Sequence, residues 1–171
     1  MGLVQELAYE VPQPNGFQRA MWRVTSSRPG AWLFARVSHH IDLFVLKVSS
    51  GRWTLARLLA GIPVITLVTI GARTGQRRST PLLGVPMGED VAIIGTRFGQ
   101  QGTPGWYFNL RKKPAAEVVY NDVRVAVVAR EAEGAEWQEA WDRARRIYSG
   151  YEAYTRRIAD RHVHVMMLSA A

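Results

Sequence analysis

Apolar residues recur in short runs along the chain, and polar turns separate one run from the next. In residues 123–130 one set of alternate side chains is entirely apolar and the other set contains two arginines, which is typical of a strand that is buried on one face. The pattern predicts six strands, over residues 63–70, 82–87, 91–94, 117–120, 123–130 and 163–168. Because few helices separate these strands, we expect an α+β fold in which an antiparallel sheet closes into a small barrel. A parallel sheet would need a helix after most strands.

Helical spacing appears in three stretches. Residues 31–48 place apolar side chains three and four positions apart, which predicts an amphipathic helix. A short helix is expected from Trp106 to the residue before Pro114. The aromatic residues after Gly134 recur at similar spacing and predict one continuous helical stripe, which reaches Ile158 if the helix tolerates Gly150.

The N-terminal residues differ in composition from the rest of the chain. Two prolines, an asparagine and a glycine fall within residues 1–16, so we interpret this stretch as a tail that becomes ordered only against another surface. We therefore divide the chain into an N-terminal tail with its amphipathic helix, residues 1–52, and a barrel domain, residues 53–171. No internal repeat suggests a further domain.

Composition narrows the classes of protein and of chemistry. A chain of 171 residues with 47% hydrophobic and 21% charged residues is long enough to bury an ordinary core. The absence of cysteine excludes disulfides, thiolate metal sites and a cysteine nucleophile. Residues 1–10 show no basic region followed by an apolar stretch, so we expect a cytoplasmic protein. The uncharged stretch over residues 58–72 is shorter than the roughly 20 residues of a membrane-spanning helix.

Positive charge is concentrated in the middle of the chain. Between Leu43 and Ala116 there are ten Lys and Arg residues and two acidic residues, so this segment carries the whole formal charge of +8. Outside it, twelve basic residues balance twelve acidic ones. A localised field of one sign attracts a polyanion.

A basic turn, defined as residues 71–78, lies between the first two predicted strands. Gly71 and Gly75 allow left-handed backbone conformations that point successive N–H groups at a bound anion. The three arginines of the turn add charge-assisted donors, and they are Arg73, Arg77 and Arg78. The turn is therefore a candidate phosphate site. A hairpin tip that is simply solvated is the alternative interpretation.

Other candidate chemistry is sparse. Neither a nucleophile elbow nor a Walker loop is present. His162 and His164 would lie on one face of a strand, as metal ligands do, but no third ligand is evident nearby in sequence, so we expect no metal site. Tyr148, Tyr151 and Tyr154 could donate a proton or stack on a flat ring, or they could simply pack in the core.

Three separated motifs occur in order along the chain. They are Gly71-x-Arg73-Thr74-Gly75-x-x-Arg78-x-Thr80-Pro81-Leu82, the glycine-rich loop with Thr96 and Arg97, and Pro104-x-Trp106-Tyr107-x-Asn109-Leu110. From about Val64 onward the chain resembles the deazaflavin-dependent nitroreductase family, whose members use coenzyme F420. The resemblance implies a split β-barrel related to the FMN-binding barrels. It also implies hydride transfer from C5 of reduced F420 to a quinone, a nitroaromatic compound or an activated enone.

The resemblance also implies roles for individual residues. The implied cofactor-binding residues are Arg73, Thr74, Gly75, Arg77, Arg78, Thr80, Pro81, Leu82, Arg97, Trp106 and Asn109. The implied catalytic residues are Tyr151, Tyr154 and Thr96, and an acceptor pocket would be lined by Tyr148, Tyr151 and Tyr154. One departure from the family pattern is Ala72, where a basic residue is common, so phosphate contact could shift to Arg77.

Two alternatives to an F420-dependent enzyme are an FMN-binding barrel oxidoreductase and a basic nucleic-acid-binding module. Single-strand binding requires aromatic residues beside the basic surface, and here the aromatic residues cluster elsewhere in sequence, so we expect no nucleic-acid partner. The expected partner is a small-molecule acceptor, and the protein would be a monomer or a homodimer. The helix over residues 31–48 would cover the sheet or form part of the acceptor entrance, and a further interpretation is peripheral contact with a membrane.

Overall fold

The computed structural model describes residues 1–11, 16, 64–157 and 162–171. In this part of the chain six strands form a closed barrel, and every neighbouring pair is antiparallel. The strands are β1 (Val64–Ile70), β2 (Arg77–Met87), β3 (Asp90–Ile94), β4 (Ala115–Tyr120), β5 (Val123–Glu131) and β6 (Val165–Ala170). Around the barrel their order is β1, β2, β3, β6, β5 and β4. The predicted six-stranded antiparallel barrel is confirmed.

Four helices flank the barrel in the described ranges, together with a 3-10 turn at Arg97–Gly99. The helices are α1 (Leu3–Glu6), α2 (Gly105–Lys112), α3 (Gly134–Ile147) and α4 (Gly150–Arg157). The predicted helix over residues 31–48 lies outside the described residues, and so does the boundary between residues 52 and 53. None of the helices in the described ranges is long and apolar enough to cross a membrane.

The prediction of one continuous helix after Gly134 is wrong. The chain leaves the helix at Tyr148, whose backbone is extended with φ −142° and ψ 106°. A side-chain carbon added at Gly150 would lie 2.2 Å from Cζ of Tyr148, so the tyrosine ring occupies the space that glycine leaves open. Packing of this ring separates α3 from α4.

The last strand begins at Val165, two residues later than predicted. Before it, the indole N–H of Trp137 donates to the carbonyl oxygen of Val163 at 2.7 Å. This carbonyl is therefore bonded to a side chain rather than to a neighbouring strand. Val163 is nevertheless buried. Because a buried apolar residue is also typical of a strand, the sequence pattern placed the start of the strand too early.

Strands β3 and β6 are buried on both faces and separate two apolar clusters. In β3, Val91 and Ile93 belong to the cluster inside the barrel, while Ala92 and Ile94 belong to a second cluster outside it. Strand β6 alternates in the same way. Helices α3 and α4 supply the other half of the second cluster, which is rich in aromatic rings.

The first residues of the chain close one end of the barrel. Leu3 and Leu7 are completely or almost completely buried in the barrel interior. The N–H of Val4 donates to the carbonyl of Glu89 at 3.0 Å, and the hydroxyl of Tyr9 donates to the carbonyl of Gly84 at 2.7 Å. Residues 1–11 are therefore a plug that packs on the barrel itself, and their interpretation as a tail ordered by another surface is wrong.

The opposite end of the barrel carries the predicted site, and we call it the site end. The strand directions place the β1–β2 turn, the end of β3, the end of β5 and the start of β6 together there. Helix α2 covers this end and places Trp106, Tyr107 and Leu110 in the barrel interior. The three motifs of the sequence therefore converge at one end of the barrel.

Candidate functional site

Two backbone hydrogen bonds close the basic turn. The N–H of Gly71 donates to the carbonyl of Gln76, and the N–H of Gly75 donates to the carbonyl of Gly71, both at 2.8 Å. Gly75 has φ +68°, which favours glycine, and a side-chain carbon added there would meet no atom within 4 Å. The turn thus presents an exposed stretch of backbone with open space beside Gly75.

Asn109 of helix α2 fixes the turn to the barrel. Its Oδ1 accepts the N–H of Ala72 at 2.8 Å, and its Nδ2 donates to Oγ1 of Thr69 at 2.9 Å. Lys112, one helical turn later, donates to the carbonyl of Ala72 at 2.6 Å. Thr69 is 2% exposed, so the bond from Asn109 satisfies a buried hydroxyl. The sequence motif included Asn109, but neither Thr69 nor Lys112 could be linked to it before the fold was known.

The arginines of the turn have different surroundings. Arg77 donates to Oε2 of Glu117 at 2.7 Å, and Arg124 bonds the same oxygen. The bonds from Arg124 and Arg77 hold the pKa of the Glu117 carboxyl below its usual range. Within the described ranges Arg73 forms no ion pair, and Arg78 has only a contact of 3.5 Å with Oε1 of Gln76. Arg73 and Arg78 are therefore better placed than Arg77 to bind an added anion.

The structure separates the other implied cofactor residues into two environments. Thr80, Pro81 and Leu82 lie three to five residues inside β2, which begins at Arg77, and they pair with Leu67, Thr66 and Ile65 of β1. Trp106, in contrast, is 5% exposed and belongs to the barrel interior. Its position fits a packing role beneath the site end.

The glycine-rich loop begins where β3 ends. Thr96 is 5% exposed, its N–H donates to the carbonyl of Ile94, and its own carbonyl accepts the N–H of Gly99. Arg97 has φ +50°, and its guanidinium donates to the carbonyl of Gln101 at 2.9 Å. The loop therefore holds the Arg97 side chain against its own backbone, although that side chain is exposed.

Three buried tyrosines form what we call the tyrosine cluster, Tyr148, Tyr151 and Tyr154. Their ring centroids are 5.9 to 6.2 Å apart, and Trp141 packs on Tyr151 at 5.7 Å. The hydroxyls of Tyr148 and Tyr154 are 3.4 Å apart. Burial, and to a smaller extent Tyr148, raises the pKa of Tyr151. The three rings are therefore packed together, and the Tyr151 phenol stays protonated at neutral pH.

The tyrosine cluster borders the glycine-rich loop. Helix α4, which carries Tyr151 and Tyr154, packs against the 3-10 turn Arg97–Gly99. Because that turn follows Thr96 directly, the implied catalytic residues belong to adjoining elements at the site end. Sequence distance alone could not establish this, since more than fifty residues separate Thr96 from Tyr151.

A network around Glu131, at the end of β5, was not predicted. Its carboxylate accepts bonds from Arg111 at 2.8 Å and from the hydroxyl of Tyr107 at 3.0 Å, and it is 2.7 Å from Nδ1 of His164. Burial opposes ionisation, yet the bonds from His164, Tyr107 and Arg111 together hold the pKa of Glu131 below its usual range. Glu131 also lies near His162, so the fold brings a carboxylate to the two histidines although none is near them in sequence.

Comparison with known proteins gives a consistent assignment. A family model described as F420H(2)-dependent quinone reductase matches residues 43–170. The F420H(2)-dependent quinone reductase Rv1261c of Mycobacterium tuberculosis (strain ATCC 25618 / H37Rv) is 29% identical over 107 residues, which cover 59% of this chain and 72% of that protein. The family match includes the basic turn, helix α2 and the tyrosine cluster.

Two solved structures extend the similarity to the fold. The F420-H2 dependent reductase FDR-A is 31% identical, with a TM-score of 0.57 over 62% of this chain and 93% of that chain. A second structure, described as a domain-swapped dimer, is 27% identical, with a TM-score of 0.59 over 82% of this chain and 98% of that chain.

Proposed function

The chain belongs to the F420H(2)-dependent quinone reductase family, and we propose that the site end of its barrel holds both the cofactor and the acceptor. The protein is an oxidoreductase that uses coenzyme F420 to reduce quinones. Membership of this family favours F420 over FMN, which was the alternative cofactor. It also favours an enzyme over a nucleic-acid-binding module.

The observation that carries the proposed site is the fixed, exposed basic turn. F420 bears a phosphodiester and a glutamate tail, and both are anionic. Arg73 and Arg78 can donate charge-assisted bonds to such groups, and the open space beside Gly75 lets an anion approach the backbone. Because Asn109 holds Ala72 in place, the turn does not have to become ordered when the cofactor binds.

The proposed chemistry relies on positioning and on hydrogen-bond donors. Reduced F420 supplies a hydride when it is bound. A quinone that accepts a hydride develops negative charge on an oxygen atom, and a phenol O–H stabilises that charge by donating a hydrogen bond. Since burial keeps Tyr151 protonated, we assign this role to the tyrosine cluster, with Thr96 beside it in the glycine-rich loop. The aromatic rings also exclude water from the acceptor.

The proposed assembly is a homodimer. One solved relative is described as a domain-swapped dimer, and that structure matches 82% of this chain. Light scattering coupled to size-exclusion chromatography should give twice the monomer mass of 19.2 kDa. A mass near 19.2 kDa across the concentrations used would contradict the proposal.

Peripheral membrane contact stays a prediction, because the helix over residues 31–48 lies outside the described residues. Replacing the basic residues within and just after this helix by glutamine should weaken co-sedimentation with anionic vesicles if charge mediates the contact. Those residues are Arg36, Lys47, Arg52 and Arg57. Full-length protein that stays in the supernatant at low salt would exclude the contact.

Fluorescence titration with F420 and with FMN tests the cofactor assignment directly. We expect tighter binding of F420 and a loss of affinity as salt is raised, because the basic turn acts through charge. With reduced F420, menadione should be consumed as the oxidised cofactor appears. FMN binding as tight as F420 binding would overturn the assignment, whatever the result with menadione.

A further inference from the structure

Two histidines and a glutamate meet at the site end, outside the residues assigned to cofactor and acceptor. Glu131 ends strand β5, and His162 and His164 lie in the segment that leads into β6. One ligand atom from each of the three side chains lies within 4.8 Å of the others. The β5–β6 pairing explains this meeting, because Glu131 pairs with Met166 and so lies beside the entry to β6.

These three side chains are a donor set that transition metals favour. Two neutral imidazoles and one carboxylate are typical ligands of zinc and of neighbouring divalent metals. Zinc–ligand distances of about 2.0 to 2.2 Å put two tetrahedral ligand atoms about 3.4 Å apart. The observed separations range from 2.7 Å between Glu131 and His164 up to 4.8 Å, so small side-chain rotations would reach that geometry.

The surroundings of Glu131 favour one orientation of its carboxylate. Oε2 accepts bonds from Arg111 at 2.8 Å and from Tyr107 at 3.0 Å. Oε1 faces His164, and the hydroxyl of Tyr107 lies 3.2 Å from it. Arg111 and Tyr107 thus hold the carboxylate with Oε1 towards His164, which is how outer-shell groups orient a metal-binding carboxylate.

The position of His162 favours a metal site over a simple hydrogen-bond network. The bond between Glu131 and His164 satisfies those two groups without any further residue. His162 is nevertheless held nearby, with its ring stacked on Trp137 at 6.4 Å and its centroid 5.0 Å from that of His164. It is exposed, so its position is not explained by burial in the core.

We propose that Glu131, His162 and His164 bind a divalent transition-metal ion, for which Zn²⁺ is the probe. The ion would cross-link the end of β5 to the entry of β6. Through Tyr107, which bonds Glu131 and stacks on His164 at 3.9 Å, it would also stabilise helix α2. This role is structural and separate from hydride transfer. The positive charge of Arg111 opposes the ion, but Arg111 is exposed and therefore screened by solvent.

The test is calorimetric titration of the untagged, chelator-treated full chain with Zn²⁺ at constant pH. We expect one equivalent to bind and the melting temperature to rise. His162→Ala should weaken binding at least about tenfold, and because His162 is exposed the substitution removes little packing. Glu131→Gln should weaken binding to a similar extent, and Co²⁺ spectra should lose their ligand-field bands in both variants.

The matched control is the double variant His39→Ala/His40→Ala, which removes the same type of side chain elsewhere in the sequence. It should bind Zn²⁺ as the wild type does. The proposal is overturned if the wild type binds no Zn²⁺, if His162→Ala binds it with unchanged affinity, or if the control variant loses the site. None of these outcomes depends on F420 binding, so this test and the test of the proposed function can fail separately.

Discussion

The basic turn and the tyrosine cluster are held in place in opposite ways. In the turn the side chains are exposed and the backbone is fixed from beneath by Asn109 and Lys112. In the tyrosine cluster the backbone changes direction at Tyr148, and the packed rings determine the geometry. Side chains of the turn can therefore be replaced without disturbing the core, whereas most replacements in the cluster alter both packing and chemistry.

The largest expected effect is on cofactor binding by the turn. Charge-assisted bonds contribute about 1.5 to 3 kcal/mol each, so Arg73→Ala should weaken F420 binding about tenfold or more, and Arg73→Ala/Arg78→Ala about a hundredfold. Fluorescence titration measures both. The matched control is Arg77→Ala, which should have a smaller effect because Arg77 is paired with Glu117. An equal loss from Arg77→Ala would show that this ion pair opens when the cofactor binds.

The next largest effect should come from releasing the backbone of the turn. Asn109→Ala removes the bonds to Ala72 and Thr69 and leaves a buried hydroxyl without that donor. We expect the free energy of unfolding to fall by about 1 to 3 kcal/mol and F420 affinity to fall with it. Chemical denaturation and cofactor titration check the two parts. Unchanged affinity would mean that the arginines alone, and not the backbone of the turn, hold the cofactor.

Crowding the tyrosine cluster should affect stability and turnover but not cofactor binding. Gly150→Ala places a methyl group against the ring of Tyr148, and overpacking of this kind costs about 1 to 3 kcal/mol. Turnover of menadione should fall while F420 affinity stays unchanged, because the turn is not touched. Ser149→Ala is the control, since Ser149 is exposed and adjacent in sequence. Loss of F420 affinity in Gly150→Ala would show that the two regions are coupled.

The smallest change removes only hydroxyl groups. Tyr151→Phe and Tyr154→Phe keep the rings and should lower stability by no more than about 1.5 kcal/mol each. If these phenols stabilise the developing charge on the acceptor, the rate of menadione reduction should fall while F420 affinity stays the same. Steady-state kinetics at saturating cofactor checks this. Wild-type rates in both variants would mean that the tyrosines only pack.

Sequence reasoning worked best where a local pattern determines the structure. The alternation in residues 123–130 predicted the one-sided burial of β5, and the left-handed backbone expected at Gly75 is confirmed by its φ of +68°. The same expectation is wrong for Gly71, whose φ is not positive and whose N–H bonds the carbonyl of Gln76 within the turn. Sequence reasoning failed where the structure depends on contacts between residues that are far apart in sequence. Nothing local to Gly150 shows that the ring of Tyr148 will occupy the space beside it, and the spacing after Gly134 continues through the break.

The same limit applies within the candidate site. A sequence motif included Asn109 among the implied cofactor residues. Its role in fixing the basic turn, however, depends on bonds to Ala72 and Thr69, which lie 37 and 40 residues away. The sequence pattern does not single out Glu131, because its partners come from helix α2 and from the entry to β6. The roles of the arginines also could not be ranked, since only the folded barrel brings Glu117 to Arg77.

The N-terminal plug has a consequence for the order in which the protein can fold. The plug precedes every strand in the chain, yet it packs against β5 and β6 as well as β3, and Tyr120 bonds the carbonyl of Glu10 across 110 residues. During synthesis these residues leave the ribosome long before the surface that receives them exists. Until β6 has been made, Leu3 and Leu7 have no interior to enter. Closure of the barrel therefore waits for contacts of very high sequence separation, which slow folding.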